Sequence, residues 1–194
     1  MIYLVFLIFF LVIIFLVVIN KLYIPKVSLP TTTYRQLKPK MKTGDVIITH
    51  SSSYFKGTIM SAYLGCHASH VAMIFERDGE KKVIELTPNW TNFSQSSSVK
   101  IRNLDDFIQD SQHKTIALVP AKKKIKFTRA DEKRYKNFHY NFWVPTMFKP
   151  YKKYKVCSTF VAMIHEDKDL IDKEHHLISP CDFYKNKKAI FFSK

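Results

Sequence analysis

The stretch 156–164, Val-Cys-Ser-Thr-Phe-Val-Ala-Met-Ile, places a cysteine at the start of an apolar run that is typical of a helix. The stretch 69–75, Ser-His-Val-Ala-Met-Ile-Phe, places a histidine at the start of a strand-like run. The amides of a helix start favour a thiolate, and a facing imidazole can take the thiol proton. We therefore interpret Cys157 and His70 as a candidate nucleophile and its base.

Each of these residues also has an ordinary structural explanation. A free cysteine is most often a small buried apolar residue, and a histidine at the first position of a strand is often just the strand end. Three lysines, Lys152, Lys153 and Lys155, precede Cys157 and favour its anion. The position at a helix start and the preceding lysines favour the interpretation of Cys157 as a nucleophile.

A third group would have to orient the imidazole, and Glu85 is the best candidate. It lies in a strand-like run, 82–87, which the Asp78-Gly79 turn signal pairs with the histidine strand. A carboxylate on the neighbouring strand can accept the second imidazole proton and fix the tautomer. The alternative is a glutamate on an exposed strand.

The first nineteen residues carry no charge. About 20 apolar residues cross a bilayer as a helix, so residues 1–19 predict a transmembrane anchor. A cleaved signal peptide fits less well, because no basic segment precedes the apolar run and no small-residue cleavage site follows it. Lysines and arginines after the span predict that the domain lies on the cytosolic side of a single-pass protein. The odd count of three cysteines does not suggest a disulfide framework.

The net charge of +15 indicates attraction to anionic surfaces. Beside an anchor, anionic lipid head groups are the favoured partner, and scattered basic residues without a binding motif argue against nucleic acid. The segment 66–70, Cys-His-Ala-Ser-His, offers zinc ligands but lacks the second ligand pair of a structural site. No metal and no cofactor are expected, because phosphate-binding glycine loops are also missing from the sequence.

These patterns predict three segments: a transmembrane anchor (1–19), a basic proline-containing linker (20–42) and one folded domain (43–194) that opens at Thr43-Gly44-Asp45. Strands are predicted at 46–48, 70–76, 82–86, 115–119 and 189–192, and helices at 58–64, 104–109 and from 128 or 131 to 136. Short strands and helices without regular alternation predict an α+β fold.

Six segments together resemble the circularly permuted NlpC/P60-type papain-like proteins. The chain is most similar to the YiiX-like and poxvirus-type branch, and more distantly to lecithin:retinol acyltransferase. The permuted order, with histidine before cysteine, fits this resemblance. Thr159 stands where the family often has Glu, and Asn141 where an acidic residue is frequent. The segments are 42–49, 69–74, 83–85, 140–142, 154–158 and 178–183.

The resemblance implies an antiparallel sheet packed against helices and a membrane-anchored cysteine hydrolase or acyltransferase. Its substrate would hold an amide, ester or thioester bond in an acylated, peptide or lipid molecule. Cys157 would attack the carbonyl carbon, His70 would act as base and then acid, and Glu85 would orient His70. Tyr154 and Ser158 would support the substrate or the oxyanion. The alternative is an inactive membrane-bound structural or virion component, since the Lys, Asn, Ile and Phe bias is typical of AT-rich genomes such as those of large DNA viruses.

Overall fold

A computed structural model describes residues 2–23, 30–51, 66, 68–87, 99–110, 113–123, 125–140, 154–165 and 178–194. The first element is helix α1 (Ile2–Tyr23), which is 22 residues long. Most of its described side chains are exposed, and five aromatic rings among them are each 60% exposed or more: Tyr3, Phe6, Phe9, Phe10 and Phe15. Among the described residues, no helix is found that combines the length and the apolar character needed to cross a membrane. The segment predicted as a transmembrane anchor is thus helical, but the structure does not support the prediction that it spans a membrane.

A seven-stranded mixed sheet forms the centre of the domain, in the order β1-β9-β6-β2-β3-β4-β5. The β1–β9 pair is parallel, and the other pairs of this sheet are antiparallel. Strands β7 and β8 form a separate short parallel pair. The strands are β1 (Thr32–Thr33), β2 (Val46–Ser51), β3 (His70–Arg77), β4 (Glu80–Leu86), β5 (Val99–Asn103), β6 (His113–Val119), β7 (His139–Tyr140), β8 (Tyr154–Lys155) and β9 (Ile190–Ser193).

Short helices pack on both faces of the sheet. They are α2 (Tyr34–Leu37), a 3-10 helix (Lys38–Lys40), α3 (Leu104–Gln109), α4 (Arg129–Tyr135), α5 (Cys157–His165) and α6 (Pro180–Tyr184). Because side chains alternate along a strand, the central strands β2, β3, β4 and β6 each contribute to two cores. One core joins Val71 and Met73 to Phe160 of α5 and Phe183 of α6. The other joins Ala72 and Ile74 to Leu37, Leu104 and Phe107. The predicted α+β class, with a sheet packed against helices, is confirmed. The sheet was expected to be antiparallel, but its β1–β9 pair is parallel.

The predicted hairpin between the histidine strand and the glutamate strand is present. Asp78 and Gly79 both have positive φ, 55° and 76°, as the two central residues of a tight hairpin turn require. The turn sets the register in which Arg77 pairs with Glu80 and Ala72 pairs with Glu85. Glu85 therefore lies beside β3, next to the position that His70 occupies at the strand start.

The second half of the predicted linker, residues 30–42, is part of the folded domain. Thr32 and Thr33 pair with Phe192 and Ser193 of β9, and the side chains of Leu37 and Met41 are buried in the core. The domain boundary predicted at residue 43 is therefore too late. Prolines excluded a long helix here, but they allow a two-residue strand and a 3-10 helix. Residues 24–29 and the helix predicted at 58–64 lie outside the described residues.

A disulfide bond joins Cys66 to Cys181, across 115 residues of sequence. It links the segment just before β3 to α6. The odd count did not suggest a disulfide framework, but two of the three cysteines are paired in this single bond. Disulfide bonds are rare in the cytosol, so the cysteines no longer support the predicted cytosolic side.

Candidate functional site

Cys157 is the first residue of α5 and is a buried free cysteine, 3% exposed. The helix begins here because Thr159 caps it. The backbone N–H of Val156 donates to Thr159 Oγ1 at 3.0 Å, and the Thr159 hydroxyl donates to the Val156 carbonyl at 3.1 Å. The first helical hydrogen bond runs from Phe160 N–H to the same carbonyl at 2.9 Å.

The cap explains why Thr159 can stand where the resembling family often has Glu. In a capping box, a side chain at the third helical position accepts the N–H of the residue before the helix. Thr159 occupies that position and makes that bond. This departure from the family pattern therefore preserves the helix start that carries Cys157. Asn141, the other departure, lies outside the described residues.

His70 and Glu85 form a close pair across two neighbouring strands. His70 Nε2 lies 2.6 Å from Glu85 Oε2, and the two side chains are 14% and 2% exposed. Glu85 is therefore a buried strand residue directed at the histidine, and the exposed-strand alternative is wrong. This is the contact through which a carboxylate can fix the tautomer of an imidazole.

Cys157 also acts on this imidazole, because it is one of the two groups whose interactions raise the pKa of His70. Burial by itself lowers the pKa of His70, but the hydrogen bonds and charges of Cys157 and Glu85 outweigh it and raise the pKa to about 10. Since Nε2 faces Glu85, Nδ1 is the ring nitrogen left for the thiol. The arrangement favours a protonated imidazole at neutral pH, which is the partner that a thiolate needs.

Arg102 also belongs to this cluster, and sequence reasoning missed it. Its Nε lies 2.9 Å from Glu85 Oε1 in an ion pair, and its Nη1 donates to Asp110 Oδ2 at 3.1 Å. It lies in β5, a strand that the sequence analysis did not predict. The signal was present as an alternation of apolar Val99 and Ile101 with basic residues, which is typical of a strand.

Ser158 and Tyr154 were predicted to support the substrate or the oxyanion, and the structure describes the side chain of Ser158 only. The Ser158 hydroxyl is fully buried and donates to the Ile178 carbonyl at 2.6 Å. Its proton therefore holds the segment before α6 against α5 and does not point to an oxyanion. Tyr154 lies in β8, and its side chain is outside the described residues.

The zinc alternative loses its sulfur ligand, because Cys66 is bonded to Cys181. His67 lies outside the described residues. Across the described part of the chain, no three His, Cys, Asp or Glu side chains are placed to hold a metal ion.

Comparisons with known proteins show a likeness of fold. No family model and no curated protein matches the chain. A solved structure, that of the metalloprotein YiiX from Escherichia coli O157:H7, is similar at 16% sequence identity with a TM-score of 0.50. The match covers 79% of this chain and 97% of that one. At this identity the likeness shows the fold alone, so the chain has a YiiX-like fold.

Proposed function

We propose that this protein is a cysteine hydrolase or acyltransferase of the circularly permuted NlpC/P60 papain-like type, distantly related to lecithin:retinol acyltransferase. Its substrate contains an amide, ester or thioester bond. The observation that carries the proposal is the 2.6 Å contact between His70 and Glu85, together with the interaction of Cys157 with the same imidazole. A nucleophile, a base and an orienting group in contact are the minimum that this chemistry needs.

In the first half-reaction the Cys157 thiolate attacks the carbonyl carbon and the carbonyl oxygen becomes an oxyanion. The first backbone N–H groups of a helix have no partner within the helix, so those of Cys157 and Ser158 can stabilise this oxyanion. When the tetrahedral intermediate collapses, the bond to the leaving amine, alcohol or thiol breaks, and His70 gives that group its proton. The products are a thioester on Cys157 and a neutral imidazole.

In the second half-reaction a water or an acceptor alcohol, amine or thiol attacks the thioester. His70 takes the proton of the attacking group, and the Cys157 thiolate leaves. Water gives hydrolysis and another acceptor gives acyl transfer, with the same residues in the same roles. Glu85 remains ionised throughout and accepts a hydrogen bond from Nε2–H of His70, so that Nδ1 is the nitrogen that exchanges protons at the reaction centre.

We also place this activity at a membrane, with α1 as the attachment and anionic head groups as partners. The exposed aromatic and aliphatic side chains of α1 and the net charge of +15 support this location. A lipid or lipid-modified substrate suits a site held at a bilayer. A cellular membrane or a virion membrane would serve equally, and no step needs nucleic acid.

The test is the reactivity of Cys157 in the oxidised full-length protein, where Cys66 and Cys181 are paired. We expect iodoacetamide to alkylate Cys157 faster in the folded protein than in the urea-unfolded chain at the same mildly acidic pH. We expect an activated acyl ester to leave one acyl group on Cys157. His70→Gln should abolish both effects and Cys157→Ala should remove the label. Equal rates in the folded and unfolded chains would contradict the proposal.

One observation favours the second candidate function, an inactive structural component of a membrane or virion. Cys157 is only 3% exposed, and a buried thiol is often inert. If Cys157→Ala leaves the protein folded and every biological role of the protein intact, this second function is correct. A loss of function in that folded variant supports the enzyme.

A further inference from the structure

We propose that Arg102 is a positioning residue that holds the Glu85 carboxylate in the orientation that His70 needs. The inference rests on the proposed function and adds a fourth residue to the Cys157–His70–Glu85 chain. Arg102 acts through Glu85, and the proposal gives it no contact with the substrate.

The two oxygens of the Glu85 carboxylate have separate partners. Oε2 lies 2.6 Å from His70 Nε2, within hydrogen-bond distance. Oε1 lies 2.9 Å from Arg102 Nε in an ion pair that does not have the geometry of a hydrogen bond. The Glu85 side chain is only 2% exposed, so water does little to stabilise its charge. A buried carboxylate that loses one ionic partner tends to rotate or to become neutral, and either change would weaken its bond to His70.

Arg102 is itself fixed at three points. Its Nη1 donates to Asp110 Oδ2 at 3.1 Å, and its guanidinium carbon lies 4.7 Å from the centre of the Phe107 ring. Its backbone pairs with Val83 in β4, two residues from Glu85. Phe107 lies within α3, and Asp110 directly follows it. This helix therefore sets the position of the guanidinium and, through the guanidinium, the position of the Glu85 carboxylate.

Lys100 provides a matched comparison. It is directly opposite Glu85 in the β4–β5 register, it carries the same charge as Arg102, and it is exposed. Glu85 from β4 and Cys157 from α5 act on the imidazole, and Arg102 and Lys100 from β5 lie beside Glu85. If charge alone mattered, Lys100 and Arg102 would affect His70 in the same direction.

The test is the pKa and tautomer of His70, measured by NMR of the imidazole nitrogens in the full-length oxidised protein. A role by charge alone predicts that Arg102→Met raises the pKa of His70, because a nearby positive charge is lost. The positioning role predicts the opposite. We expect Arg102→Met to weaken proton binding at His70 about tenfold, within the range of couplings between contacting residues.

Further variants separate the routes. Glu85→Gln should lower the pKa of His70, and adding Arg102→Met to it should change nothing further. Arg102→Lys should retain part of the wild-type value, whereas Lys100→Met should leave it unchanged. An unchanged or raised pKa of His70 in Arg102→Met, or equal effects with and without Glu85, overturns the inference. Cys157 alkylation is read separately, so an unreactive Cys157 beside a lowered His70 pKa would reject the proposed enzyme and keep the positioning role.

Discussion

At the residue scale, the charge state of His70 links the site to stability. In the folded protein its pKa is raised from the ordinary 6.5 to about 10 by Cys157 and Glu85, against the opposing effect of burial. A group whose pKa is raised by folding stabilises the fold fully below its unfolded pKa, and this contribution is lost as the pH rises through the folded pKa. His70 should therefore stabilise the fold at mildly acidic pH and progressively less toward about pH 10.

We expect the free energy of unfolding of the wild type to fall between these two pH values by on the order of 5 kcal/mol more than that of His70→Gln. Urea denaturation at a series of pH values measures it. Cys157→Ser is the control that separates the contribution of the sulfur from that of Glu85. Parallel pH profiles for the wild type and His70→Gln would show that His70 keeps its ordinary pKa.

The residues of the site differed in how far the sequence could reveal them. Cys157, His70 and Glu85 each lie in a local pattern: a helix start, a strand start and a strand after a tight turn. The hairpin alone fixes the relation of Glu85 to β3. Arg102 reaches Glu85 through pairing of β5 with β4, and the residues between these strands carry no turn signal that sets a register.

At the element scale, the start of α5 is the feature on which the site depends. The Thr159 hydroxyl accepts a hydrogen bond from the Val156 N–H, and the residue is buried, 4% exposed. A helix cap of this kind is worth about 1 kcal/mol. The catalytic geometry that we propose needs the first turn of α5 to be formed, because that turn carries both Cys157 and the amides that would face the oxyanion.

We expect Thr159→Val, which keeps the shape and removes the hydroxyl, to lower the free energy of unfolding by about 1–2 kcal/mol. Chemical denaturation measures this change. Thr159→Glu, the residue common in the resembling family, should keep an acceptor for the Val156 N–H and should slow Cys157 alkylation less than Thr159→Val does. If Thr159→Val is as stable as the wild type, the cap contributes nothing to α5.

At the scale of the whole molecule, contacts distant in sequence hold the two halves of the site together. The segment around α6 is bonded to Cys66, four residues before His70, and it accepts the Ser158 hydroxyl next to Cys157. One short segment thus fastens the histidine strand and the cysteine helix to each other. Neither link could be predicted, since composition does not say which cysteines pair and a buried serine has no sequence signature.

The class of the fold could be predicted from the sequence, but the limits of the folded domain could not. Alternating apolar runs and the Asp78-Gly79 turn gave the α+β class and the hairpin that carries the site. They did not show that residues 30–42 complete the sheet edge, because the Thr32–Thr33 pairing with β9 joins the two ends of the domain. Such pairing depends on the finished sheet and has no local pattern.

The last feature at the scale of the whole molecule is the membrane attachment that we propose for α1. Its uncharged run 1–19 and its exposed rings would be costly in water and would be stabilised in lipid at about 25 cal/mol per Å² of apolar surface. The net charge of +15 adds attraction to anionic lipid that salt screens. The two contributions therefore predict different responses to salt and to lipid charge.

We expect the full chain to float with neutral phosphatidylcholine vesicles and to remain bound at high salt, because α1 contributes apolar burial. A chain lacking residues 2–23 should bind only vesicles that contain phosphatidylserine, and salt should release it. Leu11 is 54% exposed in the middle of α1, so Leu11→Lys removes apolar surface that lipid would cover and should reduce binding to neutral vesicles. If salt releases the full chain from neutral vesicles, or if Leu11→Lys binds as the wild type does, the exposed face of α1 is covered by protein and not by lipid.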